Sequence, residues 1–217
     1  MSREKLLTWP NRLTMLRIIL VGPFVVALLN LHSTEWYWPW SRYFAVVIFL
    51  MTILSDGLDG YLARRWHQET PLGKFLDPVA DKLLITCGVI LLGIENMCAH
   101  GAFEVCFKFP NWVVVAAIGK DLFVTIGFLL IFIVSGKIFI NPTWSGKTTT
   151  ITQMVMILIT LLAPDIVSMG DYGAKLALYL TRALWAVTAA MALVTCWDYF
   201  RRGMRFVYQQ QTVEGKQ

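Results

Sequence analysis

Long apolar runs, broken by short stretches rich in charge, most restrict how this chain can fold. About 20 apolar residues suffice to carry a helix across the ~30 Å hydrocarbon core of a bilayer. Of the 217 residues, 57% are hydrophobic and 15% charged, where a soluble domain carries roughly 25% charge. The runs predict an all-α integral membrane protein, a bundle of six transmembrane helices. They fall near Leu13–Leu31, Ser41–Trp66, Gly73 or Lys74 to Glu95, Asn111–Val134, Thr148–Ile166 and Gly173–Arg202. The basic start, with Leu6, Leu7 and Trp9, is expected to lie in the membrane interface. No small-x-small cleavage site follows the first run, so it is read as a span and not a signal peptide. Residues 1–208 read as a single domain and 209–217 as a disordered tail.

Lys and Arg set the orientation. The amino end, the Arg64–Lys82 loop, the Lys137–Lys147 loop and the tail with Arg201, Arg202 and Arg205 alternate onto one side. The other side holds only Arg42, Lys108, Lys175 and Arg182. Both termini are therefore expected in the cytoplasm. This topology accounts for the net charge of +5, and nucleic acid is not an expected partner. The four cysteines have no metal-ligand spacing and read as unpaired fillers. Cys98 and Cys106 share the polar loop Asn96–Pro110, where a bridge is the alternative if that side is oxidising.

The segment Asp56–Asp81, DGLDGYLARRWHQETPLGKFLDPVAD, gathers four aspartates in a chain otherwise short of acids. Asp56, Asp59, Gly60, Ala63 and Arg64 share one helical face, and Gly73, Asp77 and Asp81 share another. Glu69-Thr70-Pro71 reads as the turn of a hairpin that brings the two faces together. Two such charges about 4 Å apart repel by roughly 4 kcal/mol at an effective dielectric near 20, so they need protons, cations or metal. Carboxylates without His or Cys suit Mg²⁺, Mn²⁺ or Ca²⁺ rather than Zn²⁺. The apolar part of the second run, Tyr43–Leu54, is too short to cross ~30 Å, which puts the acidic face at headgroup level.

On Asp56, Asp59, Gly60, Ala63, Arg64, Gly73, Asp77 and Asp81 the segment resembles the signature D-x2-D-G-x2-A-R-x8-G-x3-D-x3-D of the CDP-alcohol phosphotransferases. The resemblance implies transfer of a substituted phosphate from a CDP-linked lipid to an alcohol, with release of CMP. It implies that Asp56, Asp59, Asp77 and Asp81 hold two divalent ions, Mg²⁺ or Mn²⁺, and that Asp81 is the general base. Asp59, Gly60, Ala63, Arg64 and Gly73 would hold the CDP group. It also implies a homodimer, in what reads as a bacterial-type cell membrane; the Lys and Arg distribution is what opens the site to the cytoplasm.

Three segments look most like the members that make phosphatidylglycerophosphate from CDP-diacylglycerol and glycerol 3-phosphate. They are Pro10 to Arg17 (P-N-x-L-T-x-x-R), the central block, and a G-K-x2-T-x2-Q run made by Gly146, Lys147, Thr150 and Gln153. Asn11, Thr14 and Arg17 are then cleft candidates, with snorkelling the alternative for Arg17. Lys120, Lys137 and Lys147 are the candidates to bind the acceptor. Two departures stand out. Thr149 replaces a second Lys, and Lys120-Asp121 resembles the Arg-Asp of members that use phosphatidylglycerol as acceptor. A non-enzymatic ion transporter is the distant alternative, disfavoured because the acids cluster at one interface. Ser145-Gly146-Lys147-Thr148 imitates the end of a P-loop, but Asn141 stands where its first glycine belongs.

Overall fold

In the computed structural model the backbone is described for residues 9–31, 40–66, 71–94, 97–99, 105–135 and 143–214. Side chains are described for 15–31, 40–55, 82–94, 107–127 and 143–205. Among the described residues there are six α-helices: α1 Trp9–Leu29, α2 Ser41–Trp66, α3 Pro71–Ile94, α4 Asn111–Ser135, α5 Trp144–Val167 and α6 Asp171–Glu214. A short antiparallel ribbon, β1 Met97–Ala99 and β2 Val105–Phe107, stands where the sequence predicts only a loop.

Helix boundaries differ from expectation in ways with physical causes. Pro71 can open α3 because the first turn needs no N–H donor, so α3 starts before Gly73. This leaves Pro78 beyond the first turn, where it removes the helical donor for the carbonyl at position 74. Thr143 caps α5, its hydroxyl accepting the Gly146 N–H at 3.1 Å, so α5 starts at Trp144 rather than Thr148. At the other end α6 runs on to Glu214, through most of the tail expected to lose structure past Tyr208.

Two compact units share these helices. The first comprises Met1–Lys108 and Ile157–Ala177, the second Phe109–Met156 and Leu178–Gln217. In the first, α1 packs against both α2 and α3. Phe24 stacks on Phe49 of α2 with ring centroids 5.7 Å apart. Gly88 of α3 faces the same ring: a Cβ there would lie 3.6 Å from Phe24 and 3.1 Å from Ile157 Cδ1. The start of α2 is tied to the end of α5 by Asp165, which accepts hydrogen bonds from Arg42 and, at 2.8 Å, from the Tyr43 hydroxyl. Gly170, with φ +103°, turns the chain from α5 into α6. A Cβ at Gly173 would fall 2.0 Å from the Ile166 carbonyl oxygen, so only glycine fits this approach of α6 to α5.

In the second unit Phe109 is buried with its ring edge-on to Trp185, centroids 6.3 Å apart. Threonines line its helix contacts. The Thr149 and Thr195 hydroxyls lie 2.7 Å apart, so that one donates to the other, which in turn donates to a carbonyl one turn back in its own helix. Such pairing lets a hydroxyl sit inside a helix interface without an unmet polar atom.

Large apolar side chains cover the outside of the helices. Ile19, Leu54, Val115, Leu122 and Leu193 are all more than half exposed. Soluble monomers rarely expose so many large apolar side chains. Among the described residues, two helical stretches, Trp144–Val167 and Asp171–Arg205, are long and apolar enough to cross a membrane. The molecule has the surface of a helical membrane protein.

Candidate active site

The buried stripe of α2 contains Ala45, Ile48, Phe49 and Thr52. Steps of three and four residues extend it to Asp56, Asp59, Gly60 and Ala63, all within the same helix. On α3 the buried stripe is Leu84, Ile85, Val89 and Leu92, with Gly88 on it. Running it back toward the start of the helix reaches Asp81, Asp77 and Gly73. The helical faces that pack on α1 are thus the faces on which the acidic positions lie.

Their levels coincide as well. Phe49 and Gly88, the two positions facing Phe24, are equally far from the α2–α3 turn, Phe49 before Trp66 and Gly88 after Pro71. Asp56 and Asp81 are likewise equidistant from that turn, two helical turns closer to it. Two turns from Phe24 along α1, on the same face, is Arg17, and its residue surface is 1% exposed. Arg17 therefore does not reach out to headgroups along the surface. A guanidinium is always charged, so in such a place it needs oxygen partners. The side chains of residues 56–81, with Asn11 and Thr14, lie outside the described residues, as does Lys137 altogether.

The second unit holds a buried cation. Lys120 is 5% exposed; its Nζ lies 3.2 Å from Gln153 Oε1 and 3.2 Å from Asp121 Oδ1. Lys120 and Asp121 thus pair with each other, and the ammonium also has a partner on α5. Gln153 belongs to the buried stripe Thr149, Gln153, Met156 of that helix. Its place in the G-K-x2-T-x2-Q run was the only sign of it, and nothing in the sequence named its partner. Lys147 is exposed, its Nζ 5.9 Å from the Trp144 ring centroid. It is not gathered with Lys120. The run's glycine has a packing reason: a Cβ on Gly146 would meet the Thr143 hydroxyl at 3.0 Å and the Tyr199 ring at 3.6 Å.

Thr149 explains one of the two departures. The position is fully buried and bonded to Thr195, so a lysine there would have to leave the helix interface that threonine fills.

Comparison with known proteins shows the family. The CDP-alcohol phosphatidyltransferase family matches residues 7–197, a span that includes α1, the acidic segments of α2 and α3, Lys120 and Gln153. The CDP-diacylglycerol–glycerol-3-phosphate 3-phosphatidyltransferase of Cereibacter sphaeroides is 28% identical over 93% of this chain and 98% of its own length. The protein of the same name from Escherichia coli K12 is 31% identical over 72% of this chain and 78% of its own. That from Shigella flexneri serotype 5b gives the same figures, 31% over 72% and 78%. The chain belongs to the CDP-alcohol phosphatidyltransferase family and is a phosphatidyltransferase enzyme.

Proposed function

We propose that the protein transfers the phosphatidyl group of CDP-diacylglycerol to glycerol 3-phosphate, giving phosphatidylglycerophosphate and CMP. The observation that carries this reading is the complete acidic signature on the two helix faces that pack on α1. The names of the relatives support the choice of acceptor.

Asp56, Asp59, Asp77 and Asp81 would hold two divalent ions, Mg²⁺ or Mn²⁺. The fit rests on the donor set, hard carboxylate oxygens with no thiolate or imidazole, and on the coincident levels of Asp56 and Asp81. Bound there, the ions would neutralise charge building on the diphosphate and make CMP a better leaving group. Arg64 holds the diphosphate with its planar fork, and Gly60, Ala63 and Gly73 leave the backbone open to it. Asp81 takes the proton of the acceptor hydroxyl as the new phosphorus–oxygen bond forms and the bond to CMP breaks. Arg17 adds a buried positive charge at the level of Asp56 and Asp81. Lys120, held between Gln153 and Asp121, binds the acceptor's phosphate, and Lys137 and Lys147 remain the other candidates for that role.

In this reading the chain spans the bilayer six times as a homodimer. Both termini and the acidic faces are in the cytoplasm, where the water-soluble acceptor is found.

An acceptor panel tests the assignment. Purified protein with CDP-diacylglycerol and Mg²⁺ or Mn²⁺ is offered glycerol 3-phosphate, phosphatidylglycerol, inositol phosphate or serine. Rapid CMP release with glycerol 3-phosphate alone is expected. Release with phosphatidylglycerol and none with glycerol 3-phosphate would overturn the acceptor and leave the reaction class standing.

A further inference from the structure

We infer that Cys98 and Cys106 form an intramolecular disulfide across the β1–β2 ribbon, on the side of the membrane opposite the acidic faces. The two cysteines are direct partners in the ladder, between Met97 paired with Phe107 and Ala99 paired with Val105. Directly opposed residues of an antiparallel pair have Cα atoms about 4.5–5.5 Å apart. Disulfides span Cα separations of about 4.4–6.8 Å, so either kind of pair in the ladder meets the requirement. Opposed residues also share one face of the ribbon. A slip of one residue on a single strand would send the two cysteines to opposite faces. A pair on each side pins the register, and Phe107, at the end of β2, is 1% exposed and anchors that strand.

The ribbon needs such a link. Three residue pairs make a hairpin that is marginal in water without further support. The other two cysteines do not compete, since Cys87 lies within α3 and Cys196 within α6, both as free thiols.

The compartment follows from the proposed orientation, on which this inference rests. α3 carries Asp77 and Asp81 near its start and leads into β1 after its end. A helix of 24 residues is ~36 Å long, enough to cross the membrane, so ribbon and acids belong to opposite sides. With the acids facing the cytoplasm, the ribbon meets the oxidising side, where disulfides persist. In the reaction the two thiols lose two protons and two electrons as the sulfur–sulfur bond forms. The electron acceptor is a protein disulfide of an exported thiol oxidase, which is reduced to its dithiol.

Peptide mapping of the full-length protein tests the inference. Membranes are quenched with acid, and the protein is denatured, alkylated without reductant and digested. The expected result is one peptide pair linked through Cys98 and Cys106, two hydrogens lighter than its dithiol form, with Cys87 and Cys196 alkylated. Alkylation of both Cys98 and Cys106 before reduction, or a link from either to another cysteine or chain, would overturn it. A membrane-impermeant maleimide on intact cells carrying Cys106→Ser separates the two readings. Labelling of Cys98 from outside supports the orientation whatever the mapping shows. Labelling only after lysis sinks the orientation, and the disulfide inference with it.

Discussion

Lys120→Met separates acceptor binding from structural support. The substitution keeps most of the apolar stem and removes the ammonium, which is almost fully buried and lies 3.2 Å from both Gln153 Oε1 and Asp121 Oδ1. Loss of the pair with Asp121 is softened because that carboxylate is only part-buried, 26% exposed. Loss of the Gln153 bond costs about 1 kcal/mol, and relief from holding a desolvated ammonium offsets part of it. Folding should therefore change by no more than ~2 kcal/mol. A charged hydrogen bond to the acceptor's phosphate contributes about 1.5–3 kcal/mol. At 1.4 kcal/mol per factor of ten, the KM for glycerol 3-phosphate should rise between about tenfold and a hundredfold. The KM for CDP-diacylglycerol should stay within about twofold, since no contact with that substrate is assigned to Lys120. Initial rates of CMP release against each substrate, with a thermal melt of the same preparation, measure all three quantities. A variant that melts earlier but keeps the parental acceptor KM would refute the reasoning and leave Lys120 a structural residue.

Three further outcomes follow from particular contacts. Gly173→Ala drives a Cβ into the Ile166 carbonyl, a backbone group that cannot swing aside. The start of α6 must then shift at a cost of about 1–3 kcal/mol, read as a clear fall in melting temperature. Thr149→Val keeps the shape of the side chain and deletes its bond to Thr195, whose hydroxyl retains the Met191 carbonyl. A loss near 1 kcal/mol with unchanged kinetics is expected, and a much larger loss would mean that the pair does more than fill the interface. Asp77→Asn should abolish CMP release while the protein still inserts and melts as the parent does; retained turnover would count against a carboxylate-bound ion at that position.

The helical architecture was largely legible because a membrane helix must be both apolar and long, and both properties are local. The same locality made the acidic signature readable, since i, i+3 and i, i+4 spacing needs no partner helix. The periodic stripes Ala45 to Thr52 and Leu84 to Leu92 then join those positions to the faces that pack on α1. What stayed hidden depends on helices remote in sequence. Gln153 meets Lys120 across 33 positions, and Asp165 meets Arg42 across 123. Neither pairing has a spacing rule, because each is set by how two helices pack. The start of α5 was missed for a smaller reason. Thr143 is one of several threonines near that end, and only the Gly146 N–H it accepts identifies it as the cap. The ribbon was missed because its strands are three residues long, too short for a period of two to show.

The most direct measurement is the binding of Mn²⁺ to purified protein, followed by the loss of the free-ion signal in electron paramagnetic resonance. Uptake of two ions per chain, reduced by at least one in Asp77→Asn, is the result predicted by carboxylates converging from α2 and α3. No uptake at Mn²⁺ concentrations that support full turnover, or uptake unaffected by the substitution, would contradict it.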